Sequence, residues 1–388
     1  MDSIFFASSH NGRVVHTRTG YDAFVPQPLP PVLAWTGRMA GALEQAALRL
    51  GEFTGVLETA SANQLALLAD GDAVRAIRSE GMPMPMTDFF MAAATGTYMG
   101  TAARTGWNFA GALQHAQRRL EELPFSLRML RELHQLLHEG LEDSRATPGQ
   151  FRRSQNWLGQ SGGSLSDAFY VPPPVAEMHV LLDNWERFLH EDNDMPGLAI
   201  LAMAHCQYLA IHPFLTRNSL TGALAAAVIL QHLEVTSRPL PMFGRLLELA
   251  AGSLPTMALQ VYSTGDWDAW LEWYFSSVTV AAFDTLQCAR RLGELHIRLT
   301  SQVGEMTSFD AAGPLLALLF RQPATTPRAA AQNTGLAISE TADALRVLES
   351  QHIVSRTATS NGDIYLAPEI IAILEASPVT TDRYARPF

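Results

Sequence analysis

Lysine is missing from the 388-residue sequence, so all 27 basic residues are arginines. This absence excludes phosphate-loop NTPases, Schiff-base enzymes and lysine-assisted nucleophiles, because each of these classes needs a lysine amine at the reacting centre. Cysteine is nearly as rare, and Cys206 and Cys288 are too few for a disulfide framework or a cysteine-based zinc site. Both cysteines lie within apolar helical patterns, and we expect both to be core residues.

Long apolar runs and an excess of positive charge are absent as well. No stretch approaches the roughly 20 apolar residues of a membrane helix, and the first residues, MDSIFFASSHNGR, lack the apolar run of a secretory signal. The net charge of −11 argues against broad binding to nucleic acid or anionic membranes, although it leaves room for a local basic face. We expect a cytoplasmic protein of two or three domains with no membrane partner.

Helical periodicity runs through most of the chain and predicts a mainly α fold. A proline-dense arm at 24–35 cannot be helical, and the apolar residues after it recur at helical spacing. We expect breaks between helices at Gly71 and Gly81, followed by helices at 86–104 and 109–122.

Two segments depart from this helical rhythm. Residues 144–174 mix Gly, Ser and Pro with aromatics, and the part after Asn156 indicates a loop or short hairpin. From about residue 312, three helical patterns precede two short strands joined at Asn361-Gly362, a strong hairpin signal. Three helices followed by a hairpin are the outline of a winged helix.

The densest group of polar residues in an apolar context lies at 204–233. A helix ends at His212-Pro213, six or seven residues turn, and a very apolar helix begins near Ser219. The free amides and the dipole at the start of that helix would attract an anion. A histidine beside them suits general-base work on a phosphorylated substrate. The alternative is that His212 is a structural residue at a helix end.

The twelve residues from His212 to Ala223, HPFLTRNSLTGA, resemble the Fic-family motif His-Pro-Phe-x-Asp/Glu-Gly-Asn-Gly-Arg-x-x-Arg. The resemblance covers nearly the whole chain, including LPPVLAWT, SLRMLRELHQLLHEG, TPGQFRRSQNWLG, YVPPP and GDWDAWLEWYF. It implies a helical Fic (Fido) core with an N-terminal helical region, a short β-hairpin flap and a C-terminal winged-helix domain. The implied domains are an N-terminal region at 1–110 with an inhibitor-like helix near 72–81, a Fic core at 111–300 and a winged helix at 310–388.

The resemblance also implies a chemistry, in which His212 takes a proton from a target hydroxyl that then attacks the α-phosphate of ATP. In the family an acidic residue holds Mg²⁺, while glycine-flanked amides and two arginines bind the phosphates. His212 and Asn218 match the motif. The departures are Thr216 at the acid position, Arg217 and Ser219 at the glycines, and Leu220 and Ala223 at the arginines.

These departures remove the groups that would hold a metal-bound triphosphate. Thr216 offers Mg²⁺ no carboxylate, and one lost charge-stabilising contact typically costs roughly 10²- to 10³-fold in rate. We therefore expect impaired AMP transfer, a role in binding or regulation, no firm cofactor and no metal site. The alternative is an active transferase that uses His212, with Arg217 as the anion contact, and only this alternative requires ATP and Mg²⁺.

The segment AVRAIRSEGM resembles the family's inhibitory helix. Ala76 stands at its Ser/Thr position, and Glu80 and Gly81 match its last two residues. In the family the glutamate pairs with the second motif arginine, which is Ala223 here. Two readings stay open: Glu80 is a solvated residue at a helix end, or it pairs with Arg217.

Residues 160–174 resemble the family's flap, which clamps a target segment by strand addition. Its expected contact residues are Gly162, Gly163, Tyr170 and Val171. A protein target could bind there without being modified. The alternative is a retained surface loop.

Two further patterns have competing interpretations. His134 and His138 are four residues apart, but no third ligand follows, so we expect surface or interface histidines rather than a metal site. The winged-helix region from Gly313 to Ala372 carries four arginines against five acids. Protein contact, including a homodimer, therefore competes there with DNA binding by a transcriptional regulator.

Overall fold

The structure is a computed structural model that describes residues 6, 8–9, 11–18, 20–96, 100–143, 145–159, 164–192, 194–305, 311–359 and 362–376. Within these ranges the fold is mainly α-helical, as the periodicity predicts, and its strands are short. No helix in the described ranges is long and apolar enough to cross a membrane.

The N-terminal region opens with an antiparallel hairpin and continues as helices. Its elements are β1 (Gly12–His16), β2 (Asp22–Pro26), α1 (Gly37–Thr59), α2 (Ala62–Ser79), α3 (Met86–Thr95) and α4 (Thr101–Leu120). The first residues of the proline-dense arm thus belong to β2. The rest of that arm is irregular up to Thr36, whose side chain accepts a hydrogen bond from the Met39 amide and starts α1.

Three predicted helix boundaries in this region are wrong, and one of them is the break between 104 and 109, which lies inside α4. Gly71 lies inside α2, whose start is marked by a capping box between Ser61 and Gln64. A Cβ at Gly71 would lie 3.2 Å from the Leu374 side chain, so the glycine serves close packing rather than a break. The helix predicted at 86–104 is instead divided, because Gly96 has φ +59° and ends α3.

The central part of the chain contains the most buried helices. Its elements are α5 (Leu127–Leu137), β3 (Leu158–Gly159), β4 (Ala168–Tyr170), α6 (Val175–His190), α7 (Gly197–Ile211), α8 (Asn218–His232), α9 (Phe243–Leu249), α10 (Leu254–Thr264) and α11 (Trp267–Gly304). Every residue of α7 after the first is buried, and α8 is nearly as enclosed. Cys206 is buried in α7 and Cys288 is partly buried in α11; both are free thiols. Helices α7 and α8 form the centre of the fold, and the candidate site lies in the turn between them.

The C-terminal part contains the helices and the hairpin that the sequence indicates. Its elements are α12 (Ala312–Leu319), β5 (Ala324–Thr325), α13 (Pro327–Thr334), α14 (Ile338–Ser350), β6 (Ser355–Thr359), β7 (Gly362–Leu366) and α15 (Pro368–Glu375). Its antiparallel sheet has the strand order β5-β7-β6. The predicted hairpin turn includes Asn361, which lies outside the described residues. The interpretation as a winged helix stays a prediction.

Candidate active site

His212 lies immediately after α7, in the left-handed region of backbone space. Its φ is +49°, and its N–H donates to the Tyr208 carbonyl at 3.0 Å, which closes the last turn of the helix. Pro213 cannot continue a helix. Glycine or asparagine usually takes this capping conformation, so a histidine here is an uncommon and strained choice of the kind that concentrates at functional sites.

The His212 imidazole is neutral at physiological pH. Burial, followed by the positive charge of Arg152, lowers its pKa to about 3. Its Nδ1 is buried and has no hydrogen-bond partner among the described residues. The ring is in the unprotonated form that a general base needs, but a pKa of about 3 makes it a weak base at neutral pH, and the Leu209 carbonyl only partly offsets the effect of burial.

Arg152 holds the backbone that carries His212. Its Nε donates to the His212 carbonyl at 3.0 Å, its Nη2 donates to the Pro173 carbonyl at 2.5 Å, and its backbone N–H donates to the Pro213 carbonyl at 2.9 Å. The side chain is completely buried, and this burial lowers its pKa to about 10. Within the described ranges its side-chain hydrogen bonds go to carbonyl oxygens and not to a carboxylate, so Arg152 acts as a structural clamp on the loop.

The turn between α7 and α8 is fixed by two asparagines. The Asn218 side chain accepts from the Phe214 N–H at 3.0 Å and donates to the Phe214 carbonyl at 2.9 Å. Asn156 donates to the carbonyls of Phe214, at 3.1 Å, and Leu215, at 3.3 Å. Asn218 therefore shapes the turn whether or not a ligand binds there.

His134 and His138 lie beneath this turn, so the prediction that they are surface or interface residues is wrong. Both are buried. His134 Nδ1 accepts from the Gly149 N–H at 3.0 Å, so Nε2 carries the proton and donates to the Thr216 carbonyl at 3.3 Å. The ring also stacks on Phe214 with a centroid separation of 3.8 Å. His138 Nε2 lies 3.3 Å from the Thr216 hydroxyl.

Burial keeps both of these histidines neutral. It is the largest cause that lowers the pKa of His134 to about 3 and that of His138 to about 4. Their i, i+4 spacing comes from a helix face that packs against the motif turn. In the described ranges, no group of three or more His, Cys, Asp or Glu side chains could hold a metal ion.

The remaining motif positions divide between polar contacts and the hydrophobic core. Arg217 has φ +57°, its Nη1 donates to the Thr105 hydroxyl on α4 at 3.1 Å, and its Nε is buried without a partner in the described ranges. Burial lowers its pKa. Leu220 and Ala223, at the positions of the family's arginines, are 0% and 1% exposed and pack in the core. Ser219 is half-buried at the start of α8.

The same stretch of chain matches a known family. Residues 124–230, which contain His212 and its supporting loop, match the model of the Fic/DOC family. The chain carries a Fic domain.

A solved structure of a Fic protein has a similar fold. Fic-1 from C. elegans superposes with a TM-score of 0.50 at 15% identity, over 66% of this chain and 73% of that one. A Fic family protein from Desulfovibrio desulfuricans G20 gives a TM-score of 0.49 at 15% identity and covers 87% of this chain and 98% of its own. At these identities the likeness concerns the fold alone.

The inhibitor-like segment of this Fic-domain protein reaches the motif through Glu80. Although much of the residue is exposed, its carboxylate end is crowded by the start of α8; this desolvation raises its pKa, while a hydrogen bond from Ser219 and the charge of Arg217 lower it. No ion pair joins Glu80 and Arg217 among the described residues. Glu80 is thus neither fully solvated nor directly paired with Arg217.

The other two residues of this segment have structural explanations. Ala76 is buried in α2. Gly81 has φ +75°, and its N–H donates to the Arg78 carbonyl at 3.0 Å, while the Met82 N–H donates to the Ile77 carbonyl at 3.2 Å. This pair of hydrogen bonds is the Schellman arrangement that ends a helix. The glycine therefore stops α2 at the point where Glu80 meets the motif.

The flap residues separate into two groups. Gly162 and Gly163 lie outside the described residues. Tyr170 is buried and its hydroxyl donates to the Ala210 carbonyl at 2.6 Å, so it anchors β4 to α7 and its side chain is not free to contact a target. The Val171 carbonyl accepts from the Phe24 N–H at 2.9 Å, and this part of the strand is already used by β2.

Sequence reasoning missed three groups that support the site. Thr105 on α4, Asn156 in the loop before β3 and the paired histidines of α5 all contact the motif turn. Arg152 belongs to the segment TPGQFRRSQNWLG, which is part of the resemblance to the family. The sequence does contain a signal for the histidines, because both lie on the apolar face of a short helix. Burying them there is costly unless polar atoms face them, so this position indicates polar partners.

Proposed function

We propose that this Fic-domain protein transfers AMP from ATP poorly or not at all, and that it acts by binding a protein partner. The observation that carries the proposal is the burial of Leu220 and Ala223 in the apolar core. A triphosphate needs cations at these two positions, and neither an apolar side chain nor the surrounding core supplies any.

The polar residues of the turn support the same proposal. The Thr216 hydroxyl lies against His138, and the Arg217 guanidinium is drawn toward Thr105 on α4. Each of these groups would have to leave an existing contact before it could hold a phosphate or a metal-bound water. Losing several contacts in one site is not additive, yet little transfer should remain even with large overlap.

Incubation with labelled ATP and Mg²⁺ tests the first part of the proposal. We expect no self-labelling or target labelling, and calorimetry should show millimolar or absent nucleotide affinity with and without Mg²⁺. His212→Ala and the exposed control His16→Ala should behave like the unmodified protein. Labelling that is lost in His212→Ala and kept in His16→Ala would overturn the proposal.

The β3–β4 hairpin is the surface that we propose for the partner. It lies next to the motif turn, and Trp157 directly before β3 is 39% exposed, an uncommon position for a tryptophan. Extended peptides bind such edges by strand addition. Trp157→Ala should lower partner affinity at least about tenfold, whereas Trp35→Ala, at 43% exposure in another region, is the matched control. Equal affinity in both variants would contradict a role for the hairpin.

A His212-dependent transferase is the second candidate, and three observations favour it. The His212 ring is neutral, and the amides at the start of α8 have no side-chain cap. A cavity of about 280 Å³ lies beside Ser219 and Glu80. An anion smaller than a nucleotide triphosphate could use these groups. Transfer from such a donor would also need His212, so donors carrying a single phosphate belong in the labelling experiment.

DNA recognition receives less support from the C-terminal elements. Helix α14 carries three acids against one arginine, and that arginine, Arg346, pairs with Asp343. Arg356 on β6 contacts Glu349 and Asp363. Arginines that are already paired with acids are poor phosphate contacts. A salt-sensitive shift of operator-like DNA that is lost on removal of the residues after Gly313 would establish the DNA-binding alternative.

A further inference from the structure

A groove outside the motif turn combines apolar walls with positive charge. It encloses about 460 Å³ where the end of α1, the first half of α2, the last turns of α4 and the segment 238–241 meet. This volume lies within the range of sites that hold small molecules. Its apolar surface comes from Leu57, Leu65, Leu113, Pro239 and Pro241.

The charge of the groove is opposite in sign to that of the chain. Arg118, Arg238 and Arg321 line it together with one acid, Glu121, whereas the whole protein has a net charge of −11. A concave site lined by one sign of charge concentrates ligands of the other sign. The groove therefore carries a net positive charge that favours anions.

Two of these arginines are available to a ligand. Arg321 is paired with Asp70 at 2.9 Å, but neither Arg118 nor Arg238 makes an ion pair within the part of the chain that the structure describes. The next residue of α4, Arg119, pairs with Glu132 at 3.1 Å and with Glu122 at 3.2 Å. An arginine left unpaired beside an apolar wall is suited to a bidentate contact with a carboxylate.

We propose that this groove binds a small amphiphilic anion of the medium-chain carboxylate class. The carboxylate contacts Arg118 and Arg238, and the apolar tail lies against the leucines and prolines. Because Arg321 follows α12 of the C-terminal region, while the other walls belong to earlier helices and to the segment 238–241, the ligand contacts both parts of the molecule. This site is independent of the proposed function of the Fic motif.

Calorimetry with three decyl compounds, each below its micelle concentration, tests the ligand class. Decanoate should bind at one site, and each methylene removed in the octanoate and hexanoate series should weaken binding about fourfold. Decylammonium, with the same tail and the opposite charge, should not bind. Absence of saturable decanoate binding, equal binding of decylammonium, or tighter binding of decyl phosphate than of decanoate would overturn the proposal.

Variants then locate the site. The double substitution Arg118→Gln/Arg238→Gln should weaken decanoate binding at least about tenfold, since losing even one charged hydrogen bond has that effect. The matched control Arg38→Gln/Arg145→Gln removes the same charge from side chains that are 86% and 84% exposed, and should bind as the unmodified protein does.

A second variant blocks the groove without changing its charge. Ala66→Phe places a ring on the α2 wall and should abolish binding while all three arginines stay in place. Circular dichroism checks that each variant is folded. Unchanged affinity in both the double arginine variant and Ala66→Phe would show that decanoate binds elsewhere and would end the proposal.

Discussion

Arg152 and Arg153 are adjacent in the sequence and have opposite environments in the structure. Arg152 is completely buried and donates to the carbonyls of Pro173 and His212, whereas Arg153 is exposed. The sequence could place the pair near the site only through the family resemblance. It could not say which arginine is buried, because the acceptor carbonyls of Pro173, Ile211 and His212 come from distant parts of the chain.

Replacing these two arginines by lysine separates their roles. Arg152→Lys should lower the free energy of unfolding by about 2 to 4 kcal/mol, because a lysine ammonium cannot reach all the carbonyls that the planar guanidinium satisfies. Arg153→Lys should change it by less than about 0.5 kcal/mol, as exposed substitutions usually do. Urea unfolding followed by circular dichroism measures both. A small effect for Arg152→Lys would mean that the loop does not depend on this clamp.

The buried histidines His134 and His138 show a second limit of prediction from the sequence. Their spacing correctly indicates one face of a helix, but the partner of that face is the motif turn about 80 residues later in the chain. Hydrophobic periodicity identifies a buried face only when its residues are apolar. Two buried polar residues whose hydrogen-bond partners are distant in sequence therefore cannot be distinguished in the sequence from two surface residues.

Helix boundaries depend on backbone conformation, which glycine alone does not specify. The helical character of the chain, the end of α7 at His212 and the end of α2 at Gly81 follow from the sequence. Gly71, however, continues a helix, while Gly81 and Gly96 end one with φ of +75° and +59°. The difference lies in what surrounds each glycine: Leu374 packs against Gly71, and nothing lies within 4 Å of a Cβ at Gly81.

Two glycine-to-alanine substitutions measure this difference. Gly81→Ala should lower the free energy of unfolding by about 1 kcal/mol or more, because an alanine side chain is strained at positive φ. Gly111→Ala, at an exposed position inside α4 with open space around its Cβ, should raise it by about 0.5 to 1 kcal/mol. Thermal unfolding of both variants provides the measurement. If stability changed in the same direction in both, the assignment of Gly81 to a helix end and Gly111 to a helix interior would be contradicted.

Across the whole molecule, α2 joins regions that the sequence presents as separate domains. Asp72 accepts from the Gly244 and Arg245 amides at the start of α9, at 3.0 and 2.9 Å, and Arg78 forms two hydrogen bonds with Glu375 after the hairpin of the C-terminal part. Asp70 pairs with Arg321 after α12. These partners are far apart in sequence, so no local pattern could have predicted them.

The buried carboxylates of α2 give the protein a pH-dependent stability. Burial raises the pKa of Asp70 to about 7 and that of Asp72 to about 6, against an ordinary value of 3.8, and the charge of Arg321 only partly offsets the first shift. At these two carboxyl groups the folded state therefore binds protons more tightly than the unfolded state. The resulting stabilisation is complete below pH about 4 and is lost as the pH rises to about 7.

Asp70→Asn should remove most of this dependence, because the amide has no proton to lose. The difference in free energy of unfolding between the unmodified protein and Asp70→Asn should fall by on the order of a few kcal/mol between pH 4 and pH 7. Taking this difference removes the contribution of the buried histidines, whose lowered pKa values make both proteins gain stability over the same range. Asp192→Asn, which removes the same charge from an exposed position, should keep the slope of the unmodified protein. Urea unfolding at intervals of half a pH unit gives all three curves. If the free energy of unfolding changed with pH equally in Asp70→Asn and Asp192→Asn, Asp70 would ionise in the folded protein as easily as in water. The contact of α2 with Arg321 would then contribute nothing to the pH dependence of stability.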